Sequence, residues 1–292
     1  MSKLISIVSI FIVSATAFAQ FGGGSAAFTE RSRSGADEAR ANELAKRNVP
    51  FGDGRFIDAS VLMNVKPDEY VAVFGISEEG ITLALAQSSM DATIRTFMAS
   101  LKGLNISAAD TFVDFVAQNR IYGYDVATEN LAKEVVVGFE VKKNVSIRYK
   151  DYALLDKLIA AASKSEIFDL VKVDYVVKDI AASRKRIMEE AAKVIKTKME
   201  EQEQLLGIKM GQPIQVMPSP LGVYYPVEMY DSYVAEESEE VYAFRQGMTV
   251  HRARKPRTFY YNPLAAKDFD VAVNPSLIEP AVQFAIYVRV KY

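Results

Sequence analysis

The chain has 292 residues, half of them hydrophobic, and a formal net charge of −2. That composition supports a sizeable core rather than disorder, and the near-neutral balance argues against a nucleic-acid partner, which selects for a basic face. Cysteine is absent, which excludes disulfides, zinc–thiolate centres, thiol catalysis and a lipid-modified cysteine.

Residues 1–19, "MSKLISIVSIFIVSATAFA", place Lys3 before an apolar run over residues 4–13 and close on Ala17-Phe18-Ala19. This is the pattern of a secretory signal peptide with Gln20 as the new N-terminus. An uncleaved anchor is the alternative, but the run is shorter than the roughly 20 residues a spanning helix needs. Cleavage removes one charge, Lys3, and takes the net charge to −3. No other stretch reaches spanning length, so the expectation is an exported chain without a transmembrane segment, placed in the periplasm or associated with the outer membrane or cell envelope.

Residues 20–64 are rich in Gly, Ser, Ala and charge, with at most one short helix near 36–48. They read as a flexible arm, with docking onto a neighbouring subunit as the alternative. From residue 65 the pattern becomes regular. "YVAVFGIS" alternates as a strand, and Leu83, Ala86, Met90, Ile94, Phe97, Met98 and Leu101 recur three or four apart as a helical stripe. Gly103 stands where a left-handed helix cap is expected, and "TFVDFVAQ" returns as a strand. A second unit follows: one long strand or two joined ones over 133–149, then a helix opened by Asp151 with Leu154, Leu155, Leu158, Ile159 and Ala162 on one face. An alternating strand over 169–179 closes it, with Val171, Val173, Tyr175 and Val177 on its apolar face.

The longest helix is expected over about 183–206, with the stripe Ile187, Ala191, Val194, Ile195, Met199 and Leu206. Its drift fits a helix lying on a sheet better than a coiled coil. The last strand, 281–292, places Val282, Phe284, Ile286, Val288, Val290 and Tyr292 on one face, with Gln283, Arg289 and Lys291 on the other. Membrane barrels need at least eight strands, so a buried strand of a soluble sheet is the reading. The expected fold is α+β (α/β-like): repeated strand–helix–strand units forming sheets covered on one face by three amphipathic helices.

Motifs for chemistry are few. Gly207-x-x-x-Gly211 follows a helix and precedes a strand, the reverse of a phosphate loop, and lies in no apolar segment that would make it a membrane packing motif. Gly207 is therefore read as a helix cap. The single histidine, His251, lies within a basic run without an acid or nucleophile pattern. No carboxylate cluster has calcium-loop spacing, and no catalytic residue, cofactor or metal is indicated. The distinctive surface is the stretch 218–263, read as a long insertion with its charges in water. Tyr224, Tyr225, Tyr230 and Tyr233 precede an acidic run, and Arg252, Arg254, Lys255 and Arg257 form a basic one. One functional reading is an interface in which the opposite charge blocks pair between subunits; another is an anionic envelope ligand held by the basic residues.

"VKPDEYVAVFGISEEG" followed by a helix into "LKGLNISAADTFVDF", then "YALLDKLIAAASKSEIFDLVKVDYVVKD", then "EQEQLLGIKMGQPIQV" together resemble the SIMPL-domain family. The order and spacing of these stretches, over residues 65–216, carry the likeness. The resemblance implies an exported, periplasmic or envelope-associated bacterial protein, similar to immunogenic outer-surface antigens and to proteins linked with oxidative-stress resistance, some of which form ring-like oligomers. It brings no catalytic residues with it. The expectation is a non-enzymatic, self-assembling envelope protein supporting envelope integrity or stress resistance, a homo-oligomer or a partner of an envelope component. The alternative is a periplasmic binding module for an anionic ligand through residues 251–257.

Overall fold

The computed structural model describes residues 35–47, 54–128, 131–233, 258–276 and 278–292. Contacts divide the chain into a large unit, residues 33–231 with 261–292, and a small one, residues 1–32 with 232–260. The signal-peptide residues and the basic run fall outside the described residues.

In chain order the elements are α1 (Gly35–Arg47), β1 (Phe56–Val65), β2 (Glu69–Gly80), α2 (Leu83–Lys102), β3 (Thr111–Thr128), β4 (Leu131–Tyr149), α3 (Leu154–Lys164) and β5 (Asp169–Val176). The long α4 (Ile180–Leu206) follows, then the short β6 (Gln215–Pro218), β7 (Gly222–Tyr224), β8 (Tyr230–Tyr233), β9 (Thr258–Tyr261) and β10 (Val271–Val273), and finally β11 (Val282–Lys291). The fold is α+β.

One sheet has the order β3-β4-β2-β5, every neighbouring pair antiparallel. Its chain order, β-α-β-β-α-β, is a split arrangement in which each helical crossover skips one strand. Helix α2 starts where the Thr82 hydroxyl accepts from the Leu85 amide, and it buries Ala86, Met90, Phe97 and Leu101 against β2 and β4. Helix α3 packs beside it through Leu158, Ala161 and Ala162. The opposite face of this sheet presents Phe112, Arg148 and Val171 to solvent.

The other sheet runs β10-β1-β11-β6, with β7 also on β11. Strands β1 and β11 pair along their whole length, from Phe56 opposite Lys291 to Val65 opposite Val282. Helix α4 lies on β1 and β11 through Ile187, Ala191, Val194 and Ile195. On the far side, Leu62 and Ala285 pack with Ala39 of α1, Met229 and Leu264. Strand β11 is thus covered on both faces, and nine of its ten residues are buried.

Several expectations are corrected. The arm expected over 20–64 ends early: residues 56–65 form β1, a central buried strand. "FIDASVLMNV" alternates well, but it follows a Gly- and Ser-rich stretch whose composition masked the period. The polar side of β11 does not face water, since Gln283 and Arg289 are buried. Val171 leaves the apolar face of β5, because the pairing of β2 with β5 slips by one residue between Val73 and Phe74; a bulge reverses the side on which the following side chains stand. Helix α4 covers a different sheet from α2 and α3, so the layout of three helices on one face describes neither sheet. Gly103 does follow α2, but its backbone is right-handed, and the left-handed residue of that turn is Asn105. Gly207 does adopt the left-handed conformation, φ 65°.

Candidate functional site

Several polar side chains beside β1 and β11 are held by their neighbours. Gln283 donates to Asn64 Oδ1 and to the Leu264 carbonyl, and accepts from the Leu264 amide. Asp270 accepts from the amide and hydroxyl of Ser60 and from Lys198 Nζ at 2.6 Å. Burial pushes the Asp270 carboxyl up, but these donors outweigh it and hold it below its usual value. Lys198 and Asp270 also line a cavity of ≈ 260 Å³ between α4 and β10. Every group here is satisfied by its neighbour, which is the behaviour of fold-fixing polar contacts.

A tyrosine cluster lies at the edge of the core. Tyr70 stacks on Tyr149 at 5.5 Å and meets the edges of Tyr152 and Tyr175 at 5.3 and 5.4 Å. The Tyr175 hydroxyl interacts with those of Tyr152 and Tyr230, and Tyr230 packs on Tyr261. Burial pushes the hydroxyls of Tyr149 and Tyr175 well up, and that of Tyr261, which donates to the Ala281 carbonyl, up to about 12.

The surface with a different character is the hairpin of β3 and β4. Strand β2 accompanies β4 only to Gly80, opposite Phe139. There the backbone approaches the start of α2 so closely that a Cβ on Gly80 would stand 2.6 Å from the Ala86 amide nitrogen. The hairpin continues without β2 to Thr128 opposite Leu131. In this two-stranded ribbon Tyr122 lies opposite Val136, Tyr124 opposite Glu134 and Val126 opposite Ala132, all on one face. Tyr122, Tyr124, Val126 and Val136 are 53, 74, 68 and 46% exposed. A protein seldom leaves four large apolar side chains together in water without a use for them. Along the register this face continues the helix-covered side of the sheet, so the apolar side runs on past the end of its cover. The pairing of β3 with β4 shifts register three times: at Phe115/Ala117 and Val126/Thr128 the extra residue is on β3, and at Ile121/Tyr122 it is on β4. Such bulges hinder addition of another strand to the β3 edge.

The helix-free face of the same sheet carries a shallow cavity of ≈ 200 Å³, formed by Val71, Phe112 and Ser146 with the loop before β3. Arg148 donates from Nε and Nη2 to Asp110 Oδ1 at 3.1 and 2.7 Å on its rim. Hydrogen bonds from Ser107 and Arg148 hold the Asp110 carboxyl below its usual value.

The family model SIMPL, described as a protein of unknown function (DUF541), matches residues 58–258. The chain belongs to the SIMPL family. No curated protein matches it. The family match in this SIMPL protein starts within β1 and takes in most of the stretch read as an insertion.

That stretch is not a solvated loop where it is described. Strand β7 pairs with β11, and Pro226 and Met229 are buried. Tyr224 is half-buried, with its hydroxyl 2.6 Å from Glu43 Oε1. Tyr225 is half-buried against the main core, and Tyr230 joins the tyrosine cluster. Tyr224 and Tyr225 are thus tied to the fold, while Tyr230 keeps 38% of its surface exposed. Tyr233 lies in β8, whose partner is β9, while Arg252, Arg254, Lys255 and Arg257 lie outside the described residues. Among the described residues no group of three His, Cys, Asp or Glu stands where it could hold a metal, and no helix is long and apolar enough to cross a membrane. Sequence reading missed the ribbon because Tyr122, Tyr124 and Val126 alternate like ordinary core-facing positions. Only the early end of β2 exposes them.

Proposed function

We propose that this SIMPL protein is a non-enzymatic component of the cell envelope, exported through residues 1–19, that works as an assembly of its own copies held by the β3–β4 ribbon. The observation that carries the reading is the apolar ribbon face of Tyr122, Tyr124, Val126 and Val136, unsupported by β2 and by α2. An isolated two-stranded ribbon is marginal in water, so one that exposes an apolar face gains most from packing on a neighbour. The core-bound tyrosines and the hydrogen-bonded Asp270 carboxylate support a structural role over a catalytic one. A role in envelope integrity or stress resistance rests on the family alone.

The test is multi-angle light scattering on residues 20–292 at high micromolar concentration. A mass several times that of one chain is expected; a strict monomer overturns the reading.

A further inference from the structure

An antiparallel sheet can turn one side to water and then carries polar residues there. The helix-free face of the four-stranded sheet does so, but Phe112, 65% exposed, stands among them opposite Ser146. Rows across the strands define its surroundings. In one row Arg148 lies opposite Val71; in the next, Phe112 and Val73 flank Ser146; in the third, Asp114 and Gly75 flank Asn144. Successive rows are roughly 7 Å apart, two residues along a strand. The first two rows and the loop before β3 form the cavity of ≈ 200 Å³. The third has a bare floor, since Gly75 adds no side chain between Val171 and Asn144.

The polar groups on this face are of two kinds. The cations already have partners: Arg148 is on Asp110, Lys172 on Asp174 at 2.8 Å and Lys142 on Glu140 at 3.0 Å. A phosphate or carboxylate would have to displace Asp110 to gain Arg148. The neutral groups are uncommitted. Among the described residues, the half-buried side chains of Ser146 and Asn144 make no hydrogen bond with the protein.

A sugar ring matches both kinds. Its C–H face, polarised by the ring oxygens, meets the electron-rich face of an aromatic ring, which Phe112 supplies. Its hydroxyls need donors and acceptors side by side, which the Ser146 hydroxyl and the guanidinium N–H groups not turned to Asp110 provide. The ion pair holds that guanidinium still: Nε and Nη2 both donate to Asp110 Oδ1, and the Ser107 hydroxyl donates to Oδ2. The cavity is smaller than the roughly 300 Å³ at which pockets for drug-sized ligands begin, and it suits a single ring. Being shallow, it lets a chain run on to Asn144 and the bare floor at Gly75.

We infer that the helix-free sheet face binds an uncharged glycan chain, one pyranose ring on Phe112 beside Ser146 and Arg148, and the next over Gly75 beside Asn144. The apolar ribbon face points to the other side of the sheet, so this site does not rest on self-assembly.

Calorimetric titration of residues 20–292 with cellohexaose, maltohexaose and the hexamer of N-acetylglucosamine tests this. At least one of the three should bind, and the chain of six should bind more tightly than its single sugar. Phe112→Ala is expected to weaken that binding about tenfold. Asn144→Leu should remove the advantage of the chain over the single sugar. Circular dichroism checks that both variants fold, and Tyr124→Lys/Val126→Lys, which alters the ribbon alone, should bind like the wild type. Absence of binding to all three hexamers overturns the inference. So does a folded Phe112→Ala variant that binds like the wild type, or tighter binding of the anionic polymer polygalacturonate than of any neutral hexamer.

Discussion

Arg289 on β11 donates from Nε and Nη2 to the two oxygens of Asp58 on β1, at 2.8 and 2.9 Å, directly across the strand pair. A third bond reaches the Tyr287 hydroxyl at 2.8 Å, and the guanidinium lies over the rings of Phe56 and Tyr287. Arg289 is almost fully buried, and its pairing holds its pKa up. Arg289→Met leaves Asp58 without this partner and is expected to cost about 3 kcal/mol in urea unfolding, as breaking a buried pair does. The double variant Asp58→Asn/Arg289→Met should lose less than Arg289→Met alone. A single-variant loss well under 1 kcal/mol would mean that water replaces the pair.

The tyrosines make the fold alkali-sensitive. Burial pushes Tyr287 up to about 12, helped by a hydrogen bond with Asp58, and burial also takes Tyr261 to about 12. A hydroxyl whose folded pKa exceeds its unfolded value contributes stability in full below pH 10 and loses it as pH rises towards the folded value. Stability should therefore fall between about pH 10 and 12, by about 1.4 kcal/mol per pH unit for each such group. Phenolate absorbance of the buried set should appear together with loss of helical signal. Ionisation of all tyrosines near pH 10 in a folded chain would contradict the burial argument.

Two neighbours in the cluster differ in what they lose on deletion. Among the described residues the buried Tyr149 hydroxyl has no hydrogen-bond partner, whereas the Tyr175 hydroxyl interacts with those of Tyr152 and Tyr230. Tyr149→Phe should be neutral or stabilising, by up to about 1 kcal/mol, and Tyr175→Phe destabilising by about 1 kcal/mol. Thermal unfolding of both variants checks the order, and a reversed order would reassign the network.

Gly207 ends α4 with its amide on the Glu203 carbonyl, and the Ile208 amide returns to the Gln202 carbonyl. Nothing lies within 4 Å of where a Cβ would stand, so substitution meets only the backbone cost of the left-handed conformation. Gly207→Val should destabilise by about 1 kcal/mol or more, and Gly207→Asn by less, since Asn tolerates that region. Equal losses from the two would place the cost elsewhere.

What could be read from the sequence follows from which interactions are local. The stripes of α2 and α4, Gly207 as a cap and the alternation of β11 all repeat within one element, and the family likeness rests on their order. Strand β1 escaped because its partner lies at the other end of the chain: Val61 faces Ile286. The ribbon escaped for a related reason. Its exposure depends on β2 stopping at Gly80, a matter of pairing length, and its bulges break the period that would have marked its limits. Tyr224, Tyr225 and Tyr230 looked like surface because Pro and charge surround them, yet Glu43 and Tyr261 hold two of them in place.

Sedimentation velocity of residues 20–292 beside the Tyr124→Lys/Val126→Lys variant tests assembly through the ribbon most directly. The wild type should sediment as a multimer and the variant as a folded monomer at the same concentration. A wild type that sediments as a monomer, or a variant that keeps the wild-type size, contradicts it.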